Sequence, residues 1–391
     1  MTMSQTEARP ATGTNLKLWS LLVGNFVIGT GILLPAGMLS HIAADLGVSV
    51  PVAGWLMLAG GITIGIGAPV AAALTNSLDR RTLLLGSLIL YAVGHLASAF
   101  APSFAILLAL RVITVISACI FTPQAAATVG LFVPPERRAA GVAFIFLGWS
   151  VSLVSGTAIA GLIATYAGWR LGYILTALAS LMALWLVALA IPRGLRAPQL
   201  SLVSWGQVLG NPALQLILLV TVMSSGGQFI VLTYVSPMLK SLFSASPGEI
   251  AVVLAVFGCS GIAGNAVASR LVVGWGTERL ILMMLALMVV GFAVLALAQG
   301  SLLVASAGVA LWGFGTFSSN SLQQARLIGR AAPLASASVA LNTSAIYSGQ
   351  AIGPAVGGAL IAAGHLGALA VAGALFVLAA LGLSAAADRA G

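Results

Sequence analysis

Residues 104–138 read FAILLALRVITVISACIFTPQAAATVGLFVPPERR. A long apolar run carries a single charge, Arg111, and then turns into a proline-rich basic corner. A membrane-crossing helix needs about 20 apolar residues, and this run supplies them. On a 3.6-residue period Thr114, Ala118 and Thr122 share the side of Arg111, whereas Ile113, Ile116 and Ile120 point the other way. The pattern predicts a helix with an apolar back for lipid and a small, polar front for protein or water. An ionisable residue at such depth is costly to bury and points to a functional position.

The rest of the chain has the same character. Its 391 residues are 60% hydrophobic and 6% charged, with a mean hydropathy of +1.12. A soluble domain carries about 25% charged residues, so the composition defines a multi-pass membrane protein. Glycine is abundant, 46 in all, as expected where spanning helices pack closely. Twelve segments are predicted, at 17–40, 51–74, 82–100, 103–130, 139–165, 171–191, 213–238, 248–271, 279–299, 302–326, 334–362 and 366–386. Residues 1–16 form a polar tail containing Glu7, and the apolar run that follows is too long for a signal-peptide core. The longest connection, 192–212, divides the chain into six-helix units at 17–191 and 213–387. Within it Leu200, Val203, Trp205, Val208 and Leu209 predict a short helix lying on the membrane surface.

The net charge of +9 is not the mark of a nucleic-acid partner, because the basic residues come in small groups between apolar runs. With the N-terminus in the cytoplasm, Arg9, Lys17, Arg80, Arg81, Arg137, Arg138, Arg193, Arg196, Arg270, Arg279, Arg326, Arg330 and Arg389 all fall inside, and only Arg170 and Lys240 outside. The positive-inside rule therefore puts both termini in the cytoplasm. Cys119 and Cys259 sit in separate apolar segments, with no support for a disulfide or a metal site.

The two halves repeat one layout. Each has a charged loop after its second helix (Asp79-Arg80-Arg81; Glu278-Arg279), a proline corner after its fourth (Pro134-Pro135; Pro333) and a glycine-rich fifth helix. The expected fold is all-α, with twelve transmembrane helices in two pseudo-symmetric six-helix bundles and a binding site near the midplane between them.

These stretches resemble the major facilitator superfamily over essentially the whole chain, most of all its drug/proton-antiporter branch with bacterial sugar, nucleoside and drug efflux permeases. The resemblance rests on Ile42–Ser49, Val133-Pro134-Pro135-Glu136-Arg137-Arg138, Gly168-Trp169-Arg170, Gln228-Phe229 with Thr233-Tyr234 and Pro237, and Gly264-Asn265 with Arg270-Leu271. It implies a secondary transporter working by alternating access in a bacterial inner membrane, acting as a monomer on a small molecule, with no cofactor. It also implies gating and helix-packing roles for Asn76, Asp79, Arg80 and Arg81, and for the antiporter motif Gly349, Gly353-Pro354 and Gly357-Gly358. The departures are equally specific. Asn76 replaces the family's loop acid, Val273 stands where its counterpart after the eighth helix belongs, and Ile32 occupies the place of an acid in the first helix. The fifth-helix copy of the antiporter motif is reduced to Gly156 and Gly161.

The seven acidic residues, Glu7, Asp45, Asp79, Glu136, Glu249, Glu278 and Asp388, all lie in the tail, in loops or at helix ends. A membrane proton relay usually needs an Asp, Glu or His within the span. His95 is the one intramembrane candidate, either a proton carrier or a packed side chain. Arg111, matching the family's fourth-helix arginine, has three readings: a substrate contact, an organiser of protons and carbonyls, or a side chain that snorkels outward. Asn25, Trp149, Gln228, Tyr234, Trp312, Asn320 and Asn342 complete the candidate substrate contacts, against a plain role in interhelical packing. A cavity of amides, hydroxyls and aromatics without acid suits a neutral or anionic polar molecule. Two transport modes stay open, proton antiport and uncoupled facilitation or exchange of a sugar-, nucleoside- or amino-acid-like solute. Gly148-Trp149-Ser150-Val151 faintly echoes a serine-protease motif, but there is no metalloprotease or Walker sequence, and no enzyme is expected.

Overall fold

The computed structural model describes residues 12–75, 78–134, 138–196, 202–331 and 334–389. Asn76, Pro135, Glu136, Arg137 and Pro333 fall outside these. Hydrocarbon offers the backbone no hydrogen-bond partner, so a chain this apolar must satisfy its amides within each segment. It does so with helices: twelve, among the described residues, are long and apolar enough to cross a membrane. They are α1 (Thr12–Asp45), α2 (Trp55–Leu74), α3 (Arg80–Ala99), α4 (Phe104–Phe132), α5 (Arg138–Ala167), α6 (Trp169–Ala190), α7 (Pro212–Leu232), α8 (Pro247–Trp275), α9 (Thr277–Ala296), α10 (Leu302–Arg330), α11 (Ala335–Ala362) and α12 (Leu369–Arg389). A short helix, Val50–Ala53, leads into α2, and another, Val235–Phe243, continues α7 beyond a break at Thr233-Tyr234. The connection between halves carries a helix at Leu202–Leu209.

Local signals set the helix starts. Ser103 caps α4 at the amide of Ile106, Asn211 caps α7 ahead of Pro212, and Ser246 with Glu249 closes a capping box on α8. Glycine then decides which helices meet. On α5 a Cβ at Gly148 would lie 2.2 Å from the carbonyl of Leu22, so α1 and α5 touch backbone to backbone. The same device joins α7 to α11, where a Cβ at Gly349 would lie 2.6 Å from the amide of Gly226 and one at Gly353 2.7 Å from that of Ile230. These glycines of α11 thus lie against α7 at close range.

The halves share one apolar core at the end remote from the termini, where Leu33, Leu39 and Met57 cluster with Ile230, Val235, Leu239 and Phe257. Toward the end that carries the termini each half has its own core. One contains Leu21, Ile28, Leu84 and Val187, with Tyr347 of α11 packed into it. The other contains Val208, Leu214, Ile217 and Leu327. The cores are therefore shared at one end and, apart from Tyr347, separate at the other. Between the halves α2 packs on α11 and α5 on α8.

Candidate functional site

Buried polar groups gather in three places. The first is a narrow cleft of about 10 Å³, room for about one water molecule, between α7, α9 and α10. It is lined by Thr221, Ser224, Ser225 and Gln228 on α7, Met288 on α9, and Thr316, Ser319, Asn320 and Gln323 on α10. Helical spacing puts Thr316, Ser319, Asn320 and Gln323 on one face. Gln323 is 2% exposed, and both atoms of its amide lack a hydrogen-bond partner, as does Oγ1 of Thr316. Thr221 donates to Oδ1 of Asn342 on α11 at 2.7 Å, which leaves Nδ2 of Asn342 unpartnered. A buried amide without partners costs roughly 1–3 kcal/mol, so this cleft holds unmet donors and acceptors at its wall. No charged side chain lines it.

The second place surrounds Arg111. It is 2% exposed and does not reach outward to water. Its Nη1 donates to the carbonyl of Gly31 at 2.8 Å, its Nη2 to Ile32 at 2.5 Å and its Nε to Leu56 at 3.2 Å. The sequence arranges this. Pro35 lies within α1 and has no N–H, so the carbonyl four residues earlier, Gly31, loses its helical donor. Gly60 provides the room, since a Cβ there would lie 3.1 Å from Nη2. In this conformation the guanidinium is taken up by backbone carbonyls of α1 and α2.

The third place is a contact between the halves at Tyr234. Tyr234, at the end of α7, donates from Oη to the carbonyl of Pro354 at 2.9 Å. Its ring packs against Gly357 and Gly358 of α11, and its hydroxyl lies where a Cβ on Gly54 would be, 2.1 Å away. The structure places Tyr234 with the motif glycines rather than in the cleft.

The other sequence candidates divide. Gln228 and Asn320 come together in the cleft, with Asn342 one hydrogen bond behind it. Asn25 is buried, donating to the carbonyl of Ile145 at 3.2 Å and accepting from Thr122 at 3.0 Å, and so ties α1 to α5 and α4. Trp312 stacks between Phe257 and Phe292, with centroids 4.5 and 5.1 Å away. Trp149 is half-buried on α5, near Gly29 of α1. His95 is buried on α3, its ring 4.2 Å from that of Tyr91. Of the cleft's lining, the sequence candidates include Gln228 and Asn320, whereas Thr221, Ser224 and Ser225 are not among them. Their i, i+3, i+4 hydroxyl spacing ahead of Gln228 was the available signal.

At the termini end, loops fasten each half internally. Asp79 accepts from the amide of Thr82, capping α3, and from that of Gly194 at 2.6 Å. Arg80 donates to Gln124 and Arg81 to the carbonyl of Ile191 at 2.8 Å. In the C-terminal half Arg330 pairs with Glu278 at 2.5 Å, and buried Arg326 pairs with Asp388. The corner at Trp169-Arg170 is held at the other end, where both side chains donate to Asp45.

A multi-pass helical chain with glycine seams and a polar cleft between its helices has the architecture of a transporter. Residues 21–354 match the model of the Major Facilitator Superfamily, and the chain belongs to that family. It is 30% identical over 350 residues to the inner membrane transport protein YdhP of Escherichia coli (strain K12), covering 90% of each chain. It is also 30% identical over 366 residues to the chloramphenicol resistance protein of Streptomyces lividans, covering 90% of this chain and 92% of that one. A chloramphenicol efflux pump of Mycobacterium tuberculosis (strain H37Rv) is 29% identical over 320 residues, covering 79% of this chain and 77% of that one. Among solved structures, a bacterial homolog of the human lysosomal transporter Spinster, in its inward-facing and unoccupied conformation, superposes with a TM-score of 0.75 at 16% identity. That match covers 98% of both chains.

Proposed function

We propose that this transporter exports small, uncharged or anionic polar molecules across a bacterial inner membrane, and that export is driven by antiport. The two units 17–191 and 213–387 would rock about the contact at Tyr234. Both termini would lie in the cytoplasm, so that the end with separate cores is the cytoplasmic one. The observation that carries the reading is Gln323, a buried amide with no partner in a cleft of hydroxyls and amides. A solute offering both a donor and an acceptor would satisfy it, and the absence of a lining acid disfavours lipophilic cations. Export as the direction draws support from the relatives named for chloramphenicol resistance and efflux.

A thermal-shift series on purified protein tests the substrate class. Chloramphenicol and uncharged sugars or nucleosides should raise the melting temperature of the wild type and not of Gln323→Leu. Stabilisation by hydrophobic cations alone would contradict the reading. Uncoupled facilitation is the second mode, favoured by one observation: the described carboxylates Asp45, Asp79, Glu249, Glu278 and Asp388 all stand at helix ends or in loops.

A further inference from the structure

His95 retains an unused nitrogen deep in the N-terminal half. It is 1% exposed, and its Nδ1 lies 2.9 Å from the carbonyl of Tyr91, one turn back on α3. A carbonyl only accepts, so Nδ1 carries the proton, and Nε2 of the neutral ring presents a lone pair. That Nε2 makes no well-aligned hydrogen bond, although the Gly31 backbone lies beside it. The nearby Tyr91 hydroxyl has its proton on the carbonyl of Ile28, at 2.7 Å. The hydroxyl of Tyr173 on α6, whose ring centroid is 5.8 Å from that of His95, is also unpartnered.

What Nε2 faces is α1 at Gly31. A Cβ on Gly31 would stand 2.5 Å from Nε2 and 2.4 Å from the Tyr91 hydroxyl, so only glycine lets α1 approach so closely. The same residue offers the carbonyl that Arg111 occupies. The groups around the imidazole are therefore the Arg111 guanidinium from α4, the phenols of Tyr91 and Tyr173, and the Gly31 backbone. No carboxylate among the described residues pairs with His95 or Arg111.

We infer that Nε2 of His95 is a proton-binding site coupled to the hold of Arg111 on α1 at Gly31. Its role in transport rests on the antiport reading above. A proton from water adds to the Nε2 lone pair, one N–H bond forms and the ring becomes an imidazolium; the proton later returns to water. The new N–H requires an acceptor, and the backbone it faces already serves Arg111. Two cations beside one carbonyl repel strongly where water is excluded. Proton binding and the Arg111 hold thus oppose each other, and linkage makes each weaken the other by the same factor. Protonation would release the Pro35 region of α1, and recapture of Gly31 by Arg111 would expel the proton.

The test is nitrogen NMR on full-length protein in lipid nanodiscs with ¹⁵N-labelled histidine. The chain has three histidines, and the signal lost in His95→Gln assigns this one. The expected tautomer at alkaline pH has Nδ1 protonated and Nε2 bare. On acidification Nε2 gains a proton, and in Arg111→Gln the midpoint moves up by about one pH unit or more, a tenfold tighter proton site. A proton on Nε2 in the neutral ring overturns the inference. So does a midpoint that Arg111→Gln leaves in place, or a ring that stays singly protonated in both proteins. In proteoliposomes with chloramphenicol as probe, His95→Gln should lose gradient-driven accumulation while keeping counterflow exchange; retained gradient-driven accumulation overturns it as well. A wild type indifferent to the gradient, with the NMR shift intact, overturns antiport and supports the site.

Discussion

Arg111 donates from Nη1 to the carbonyl of Gly31 at 2.8 Å, and that carbonyl is the one Pro35 leaves without a helical donor. A helix break on α1 and a buried cation on α4 thus answer each other. Read as a substrate contact alone, Arg111→Ala should abolish transport and spare folding. The carbonyl bonds add a cost to stability, roughly 1–3 kcal/mol for an acceptor left unsatisfied in the interior. Restoring an amide at position 35 should return part of it. In a double-mutant cycle by denaturant unfolding in micelles, Arg111→Ala should cost less on a Pro35→Ala background than on the wild type. Strictly additive losses would contradict the pairing.

Gln323 makes the opposite prediction for stability. Its amide has no partner, so replacing it with an apolar side chain of similar size removes an unmet polar group. Gln323→Leu should melt at the wild-type temperature or above, a gain of up to about 1 kcal/mol. Transport of an uncharged polar probe should fall by about tenfold, equal to 1.4 kcal/mol of lost binding. A variant that is both less stable and fully active would show that the amide is structural.

The glycine seams can be ranked by what surrounds them. A Cβ at Gly353 meets the amide of Ile230 and the carbonyl carbon of Phe229, each at 2.7 Å. These are backbone atoms that cannot swing aside. Gly353→Ala should therefore part α7 from α11 and cost about 1–3 kcal/mol. Gly130 on α4 has nothing within 4 Å, and Gly130→Ala should be neutral or stabilising by up to about 1 kcal/mol through helix propensity. Thermal melts of the two variants in the same detergent check the contrast.

Asp79 gives a pH dependence whose sign is fixed. Burial pushes its carboxyl up, but the amides of Thr82, Gly194 and Leu195 and the Thr82 hydroxyl together outweigh this and hold it below the usual range. A group with a depressed folded value stabilises above its unfolded value, about 3.9. That contribution disappears as pH falls through the folded value. The stability gap between wild type and Asp79→Asn should be constant above about pH 5 and shrink below about pH 4. A gap that widens with acid would refute the assignment.

The fold was legible because hydrocarbon imposes one rule on every segment, and apolar runs of spanning length obey it. Where the reading was coarse, side-chain chemistry explains it. The first helix was read as 17–40 and runs on to Asp45, because Asp45 closes the end of the span by accepting from Trp169 and Arg170. The seventh was read as one segment to 238, but the chain breaks at Thr233-Tyr234 to insert Tyr234 between Gly54 and Gly358. The candidate site was half legible. Intramembrane amides pointed to Gln228 and Asn320, which both line the cleft. No spacing rule within one helix could show that Arg111 of α4 would meet a carbonyl freed by Pro35 on α1, because that partner is backbone, not a residue type.

Coupled export is open to direct test by uptake into inside-out membrane vesicles. Vesicles containing the protein should accumulate labelled chloramphenicol when their interior is made acidic, and collapse of the gradient should release it. His95→Gln vesicles should equilibrate without accumulating. Accumulation or equilibration that is the same with and without the gradient in the wild type would contradict antiport and leave facilitated exchange as the mode of this transporter.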